Sequence, residues 1–279
     1  MIPDSETNFV YLAGTLCSKF PAFYNRIEKL LNDEKIPFQL LPGTKDIWAV
    51  DYMPMQIKEN RFVRFTYNPT YLQPKKLKVT ISNVDAICKQ IGIETNQSNI
   101  VLDGGNVIKS TDKVIMTERV FTENPRYERQ QLIEELEGLF EVDTIFIIPV
   151  QPNDFTGHAD GMVRFVDEET ILINDYTKES AGFQKAFVKA IQQTGLKTIT
   201  IPYSPYGNSN NDQAQGCYIN YLQLENHVIV PTFGMQEDEA AVKQFQEIFK
   251  GQTISTIDSN EIAEEGGVLN CLTWNILRD

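Results

Sequence analysis

The sequence predicts an α/β domain of about five ββαβ units set around a central axis. Three observations carry that prediction. Hairpin patterns recur along the chain, amphipathic helices fall between them, and polar residues at the inner loops repeat at a near-constant interval. Those residues are Asp51, Asp103, Asp160, Cys217 and Cys271, with gaps of 52, 57, 57 and 54 residues. A two-domain α/β sheet would explain the elements but not the interval.

Taken in order, the apolar run at residues 8–12 predicts a first strand. A helix over 21–32 places Phe23, Ile27, Leu30 and Leu31 on one face and leads into a strand at 38–41. A hairpin follows, with strands at 55–58 and 61–65 joined by Glu59 and Asn60. A weaker helix spans 83–91. The second hairpin pairs 106–109 with 113–116, ahead of a helix at 127–139 and a strand at 145–148. The third pairs 162–166 with 170–173, ahead of a helix at 180–194 and a strand at 198–201. The fourth pairs 218–222 with 227–231, ahead of a helix at 237–249 and a strand at 253–257. A fifth unit opens with a strand at 271–276 and lacks its partner. Residues 8–12 are expected to supply it, closing the ring and removing its exposed edges.

The 279 residues, 42% of them hydrophobic, can bury a sizeable core, which excludes a disordered tail or a small stapled domain. Length alone favours two domains, but the repeat favours one domain over residues 1–279. With 25 Lys+Arg against 38 Asp+Glu, the net charge is −13. That balance argues against a nucleic-acid partner and is compatible with a cationic substrate, although a solvated acidic surface is the commoner explanation. The four cysteines form no CxxC pair, so a zinc ribbon or redox motif is not expected. No signal peptide is read at the N-terminus, and no apolar run approaches the ~20 residues that span a bilayer. The expectation is a cytoplasmic protein with reduced thiols and no membrane partner. Asn96-Gln97-Ser98 matches a glycosylation acceptor and is expected to be a turn.

Units around an axis bring their inner loops together. The loops would then gather one thiol, one imidazole and three carboxylates: Cys271, His158, Asp51, Asp103 and Asp160. Cys271 follows Gly266-Gly267 and would act as a nucleophile only as a thiolate; a small buried hydrophobe is the other reading. His158 is one of two histidines and stands two residues from Asp160, on the same face of an extended segment. It could equally be a turn residue. His227, in a hairpin turn, reads as a surface residue. Asp51 and Asp103, near Pro or Gly, are either turn formers or hosts for a planar guanidinium. Trp48, Tyr52 and Trp274 are candidates for a pocket wall or for the core, and Cys17 and Cys88 read as buried thiols.

The loops together resemble the agmatine deiminase and bacterial (Porphyromonas-type) peptidylarginine deiminase family of guanidino-modifying enzymes. The likeness runs in order through residues 46–54, Asp103-Gly104-Gly105-Asn106, residues 154–160, residues 218–234 and residues 266–273. Asp103 stands where the family has Glu, Val50 replaces an Arg, Asn270 replaces a His, and Trp274 stands where Gln is frequent. The resemblance implies a five-bladed pseudo-symmetric α/β propeller, the pentein fold. It implies Cys271 as nucleophile, His158 as general acid/base, Asp51 and Asp160 as guanidinium-binding carboxylates, and Asp103 as the acid that bonds substrate and assists the histidine. Trp48 and Asn106, from the same loops, join the candidate substrate contacts.

The implied reaction is hydrolytic deimination of a small cationic guanidino compound, agmatine-like or arginine-derived, to a ureido product and ammonia. It passes through a thiouronium on Cys271 and needs no cofactor and no metal. An amidinotransferase or dihydrolase of the same superfamily, a non-catalytic guanidino or polyamine binder, and a structural module are the alternatives. A homo-oligomer stays open.

Overall fold

The computed structural model describes residues 1–278. Five three-stranded sheets repeat one topology. The first holds β1 (Phe9–Ala13), β2 (Phe38–Leu41) and, from the far end of the chain, β15 (Thr273–Ile276). The second holds β3 (Met55–Lys58), β4 (Arg61–Thr66) and β5 (Thr95–Val101). The third holds β6 (Ile108–Lys109), β7 (Lys113–Thr117) and β8 (Thr144–Ile148). The fourth holds β9 (Val163–Phe165), β10 (Thr170–Asn174) and β11 (Lys197–Ile201). The fifth holds β12 (Leu222–Gln223), β13 (His227–Thr232) and β14 (Thr253–Asp258).

In every sheet the central strand runs antiparallel to an inner strand and parallel to an outer one. A parallel pair needs a crossover, and an amphipathic helix supplies it each time. These helices are Pro21–Asp33, Val84–Ile91, Arg129–Phe140, Ala181–Thr194 and Asp238–Ile248. Local chemistry sets their ends: Pro21 occupies the first turn, and the side chains of Asn83 and Ser180 accept from the N–H groups of Ala86 and Phe183. The helix Ala181–Thr194 buries Phe183, Phe187 and Ile191, the i, i+4, i+8 stripe of its sequence. Central strands are buried on both faces, which explains apolar runs such as Val114-Ile115-Met116.

Neighbouring sheets touch in a closed cycle. Gln56 of β3 donates to Leu277 O just beyond β15 (2.8 Å), and Asn124, ahead of β8, donates to Val101 O of β5 (2.8 Å). The Thr111 N–H in the β6–β7 turn reaches Glu168 in the β9–β10 turn (3.0 Å), and Arg164 of β9 donates to Tyr221 O (2.9 Å). Asn275 of β15 closes the cycle on Gln223 O of β12 (3.3 Å). β1 pairs with β15 as the partner that the strand at the end of the chain lacked in sequence, so the N-terminal segment joins the two chain ends.

Several local expectations fail. β5 was not predicted, because Thr95-Asn96-Gln97-Ser98 is too polar to read as a strand; it is an outer strand with half of its positions exposed or nearly so. Asn96–Ser98 is therefore strand and not a turn. Residues 218–221 are irregular, and β12 begins only at Leu222, because those residues turn inward to the axis. Cys271 and Leu272 close a one-turn helix, Leu269–Leu272, before β15 starts. Asn106 ends a 3-10 turn, Gly104–Asn106, and is not in a strand. Cys88 is buried but Cys17 is only half-buried. His227 opens β13, partly covered and 3.9 Å from the Glu34 carboxylate. Among the described residues no helix is long and apolar enough to cross a membrane.

Candidate active site

The inner loops of four of the five units line one cavity of about 670 Å³, and the loop that carries Asp103 backs onto it. Asp51 comes from the one-turn helix Ala49–Tyr52, His158 and Asp160 from the loop before β9, and Cys271 from the one-turn helix Leu269–Leu272. Asp103, just before the 3-10 turn Gly104–Asn106, stands behind His158. All five are buried.

Two glycines make this convergence possible. A Cβ on Gly104 would lie 2.0 Å from Val50 O, and one on Gly105 would lie 2.6 Å from His158 Nδ1 and 2.7 Å from Asp51 Oδ1. The Gly105 N–H instead donates to Asp51 Oδ1 at 3.0 Å, and its carbonyl accepts from the Asp160 N–H at 3.0 Å. One bare backbone turn thereby ties three units together.

His158 sits between two carboxylates, with Nε2 3.0 Å from Asp103 Oδ2 and Nδ1 3.5 Å from Asp51 Oδ1. Burial disfavours its charge, but Asp51, Asp103 and Asp160 outweigh that and push its pKa up to about 10. Burial also pushes the Asp51 carboxyl upward against the pull of His158, with Asp103 and Asp160 adding to the rise. The Cys271 thiol faces Asp160 Oδ2 at 3.3 Å and accepts from Asn220 Nδ2 at 3.2 Å. Burial, then the charges of Asp160 and Asp51, hold its pKa well above that of an ordinary thiol. The site therefore keeps a neutral thiol and a charged imidazole among buried carboxyl groups.

The sign of that field extends outward. Among the described residues lining the cavity, seven are carboxylates, from Asp46 to Glu265, and none is Lys or Arg. Such a wall attracts a cation and repels an anion. Trp48 lines it, and so does Cys217, whose thiol burial pushes up to about 12. Asn106 does not reach the cavity: its side-chain oxygen accepts from the N–H and Oγ1 of Thr117 at 2.9 and 3.0 Å. That carboxamide fastens the turn to the end of β7, and the expectation of a substrate contact fails for this reason. Tyr52 and Trp274 belong to the core; the Trp274 indole donates to Pro54 O at 2.7 Å.

Three neighbours were not anticipated. Asn220 bonds the Cys271 sulfur, and its Oδ1 also accepts from the Cys271 N–H at 3.3 Å. Asn270 donates to Asp160 Oδ2 at 2.8 Å. Tyr71 donates to Asp103 Oδ2 at 2.7 Å. Asn220 had a signal, since it lies in the Tyr-x-Asn stretch of a matching loop, and Asn270 is adjacent to the cysteine. Tyr71 had none, because it sits in a stretch between β4 and the next helix that matches no motif.

A family model described as Porphyromonas-type peptidyl-arginine deiminase matches residues 15–276. Among curated relatives, a candidate agmatine deiminase of Mycoplasma mycoides subsp. mycoides SC is 23% identical over 219 residues, covering 67% of this chain and 60% of that protein. The chain thus spans 60% of the length of the curated relative it matches. Among solved structures, the agmatine deiminase of C. jejuni superposes with a TM-score of 0.81 at 17% identity, covering 99% of this chain and 95% of that one. The agmatine deiminase of Enterococcus faecalis gives 0.77 at 17% identity, covering 100% and 95%. These two likenesses establish a shared fold, that of the pentein proteins.

Proposed function

Because the chain belongs to the Porphyromonas-type peptidyl-arginine deiminase family, we propose that it hydrolyses a small cationic guanidino compound to a ureido product and ammonia. The observation that carries this reading is Cys271, His158 and Asp160 meeting at the base of a cavity walled by carboxylates without a Lys or Arg among its described residues.

The chemistry follows from the charges. An incoming guanidinium bonds Asp51 and Asp160 and offsets their charge, which with burial holds the Cys271 pKa up; the thiol releases its proton to solvent as the cation binds. Thiolate sulfur attacks the guanidinium carbon and forms a neutral tetrahedral adduct. His158, already protonated, gives its proton to one nitrogen; that C–N bond breaks, ammonia leaves, and a cationic thiouronium remains on Cys271. Neutral His158 then takes a proton from water as the hydroxide adds to the same carbon. The second adduct collapses with cleavage of the C–S bond, its hydroxyl proton passes to solvent, and thiolate and imidazolium are restored. Carboxylates positioned in advance around a reacting cation supply the main stabilisation.

The wall also favours a class of substrate. Free arginine carries an α-carboxylate, and no described Lys or Arg lines the cavity to receive it. A guanidine with a neutral or cationic tail, agmatine-like, suits the outer carboxylates Glu179, Asp212 and Glu265. The direct test assays a panel of guanidino compounds for both ammonia and ureido product, in the wild type and in Cys271→Ser. Expected is equimolar release of both with agmatine ahead of arginine, and no turnover in the variant. Undiminished turnover in Cys271→Ser, or ligand binding with no product from any guanidine, would overturn the proposal; a new guanidine in place of a ureide would mark amidino transfer.

A further inference from the structure

Asp103 is a short acid with a divided task. Its Oδ2 faces His158 Nε2 at 3.0 Å, and the same oxygen accepts the Tyr71 hydroxyl at 2.7 Å. Its Oδ1 is buried without a hydrogen-bond partner. A buried carboxylate oxygen left bare is costly unless something fills it. A carboxylate on one methylene has little reach and two-fold freedom about its terminal bond. Something must hold it with Oδ2 toward the imidazole, and Tyr71 does this.

Tyr71 is itself fixed from several sides. Its ring meets Phe155 edge-on at 5.6 Å and His158 at 6.2 Å, and the Arg119 guanidinium lies over its face at 5.7 Å. Its neighbour Thr70 is anchored to the third unit: the backbone N–H and Oγ1 donate to the Glu123 carboxylate at 2.9 and 2.8 Å, and Arg119 donates to Oγ1 at 2.9 Å. An Arg119–Glu123 ion pair of 2.8 Å completes the clamp. The phenol is buried beside the charge of Asp103, which keeps it protonated and a donor.

We infer that Tyr71 is a positioning residue for the deimination proposed above: it locks the Asp103 carboxylate on His158 through Oδ2. The inference rests on that reading, and its own geometry is tested separately. Removing the hydroxyl withdraws a donor from Asp103, so the carboxylate holds more charge toward His158 and the imidazolium becomes harder to deprotonate.

The test compares wild type with Tyr71→Phe, which keeps the ring and its contacts. Expected is a kcat lower by about tenfold, a KM within about threefold, and an alkaline limb of the pH–rate profile moved to higher pH. Unchanged kcat and an unchanged limb would overturn the inference while the deimination stands. If the wild type turns over no guanidine, the functional reading has failed on its own. The His158 imidazole shifts followed by NMR against pH then decide: an upward-moved titration in Tyr71→Phe supports the positioning role, and an identical titration overturns it. If Tyr71→Phe does not fold, Thr70→Val loosens the same clamp from outside the cavity; a smaller kcat loss and limb shift in the same direction support the role, and wild-type values overturn it.

Discussion

At Cys271 the buried sulfur accepts from the Asn220 carboxamide at 3.2 Å and faces the Asp160 carboxylate at 3.3 Å. A donor aimed at developing negative charge is the usual source of a large rate term. Asn220→Ala is expected to lower kcat by roughly tenfold to a hundredfold, read by steady-state kinetics, with the fold intact by circular dichroism. His158 gives a pH signature. Its pKa rises in the folded state to about 10 from the ordinary 6.5, so the stability it contributes is complete below the unfolded value and is lost as pH climbs through the folded one. The melting temperature of His158→Ala should therefore lie below wild type at pH 7, and the gap should close toward pH 10. A gap that widens with pH would contradict the cationic imidazole. His158 and Asp160 were legible as a closely spaced pair, although the segment that carries them turns at Asp160 and is not extended as expected. Asn220 and Tyr71 were not, because a carboxamide and a phenol carry chemistry only through what they touch.

Among the elements, the short turns at the start of the units matter more than the strands. The turn Gly104–Asn106 reads in sequence as a Gly-Gly loop, and its consequence depends on what faces each glycine. Gly104→Ala would drive a Cβ into a backbone carbonyl, which cannot rotate away, and is expected to cost about 2 kcal/mol or more, measured by urea unfolding. Gly105→Ala would press instead on His158 and Asp51, whose side chains can yield. It should lose most activity at a smaller cost in stability. Equal loss of stability in the two variants would contradict this division. The crossover helices were readable from their 3.6-residue stripe, to within a residue or two at each end. β5 was not, since an outer strand with a solvated face needs no apolar code.

For the whole molecule, the N-terminal segment is both a strand of the ring and a charge partner at its core. Asp4 bonds Arg164 at 2.7 Å and Lys109 at 3.0 Å, joining the first, third and fourth units. Burial raises the Asp4 pKa, but Lys109 and Arg164 outweigh it and lower the value overall. That contribution is present above the ordinary carboxylate range and is lost as pH falls through the lowered value. Asp4→Ala leaves Arg164 buried without its counter-charge and is expected to cost about 3 kcal/mol, seen as a lower urea midpoint at pH 7 and a smaller loss of stability on acidification. Wild-type stability in the variant would show that the ion pair is dispensable.

We propose that the chain is one domain over residues 1–279, as the interval between inner-loop residues suggests. By itself the sequence determined the repeating unit, the crossover helices and five candidate site residues, because periodicity and spacing are local properties that each segment carries alone. The tertiary structure alone decided that β1 pairs with β15, that Asn106 is fastened to Thr117 and away from the cavity, and that Asn220 and Tyr71 complete the site. The physical reason is that a closed ring brings together groups far apart in the chain, and the charge and hydrogen bonding of a buried group are set by those distant neighbours.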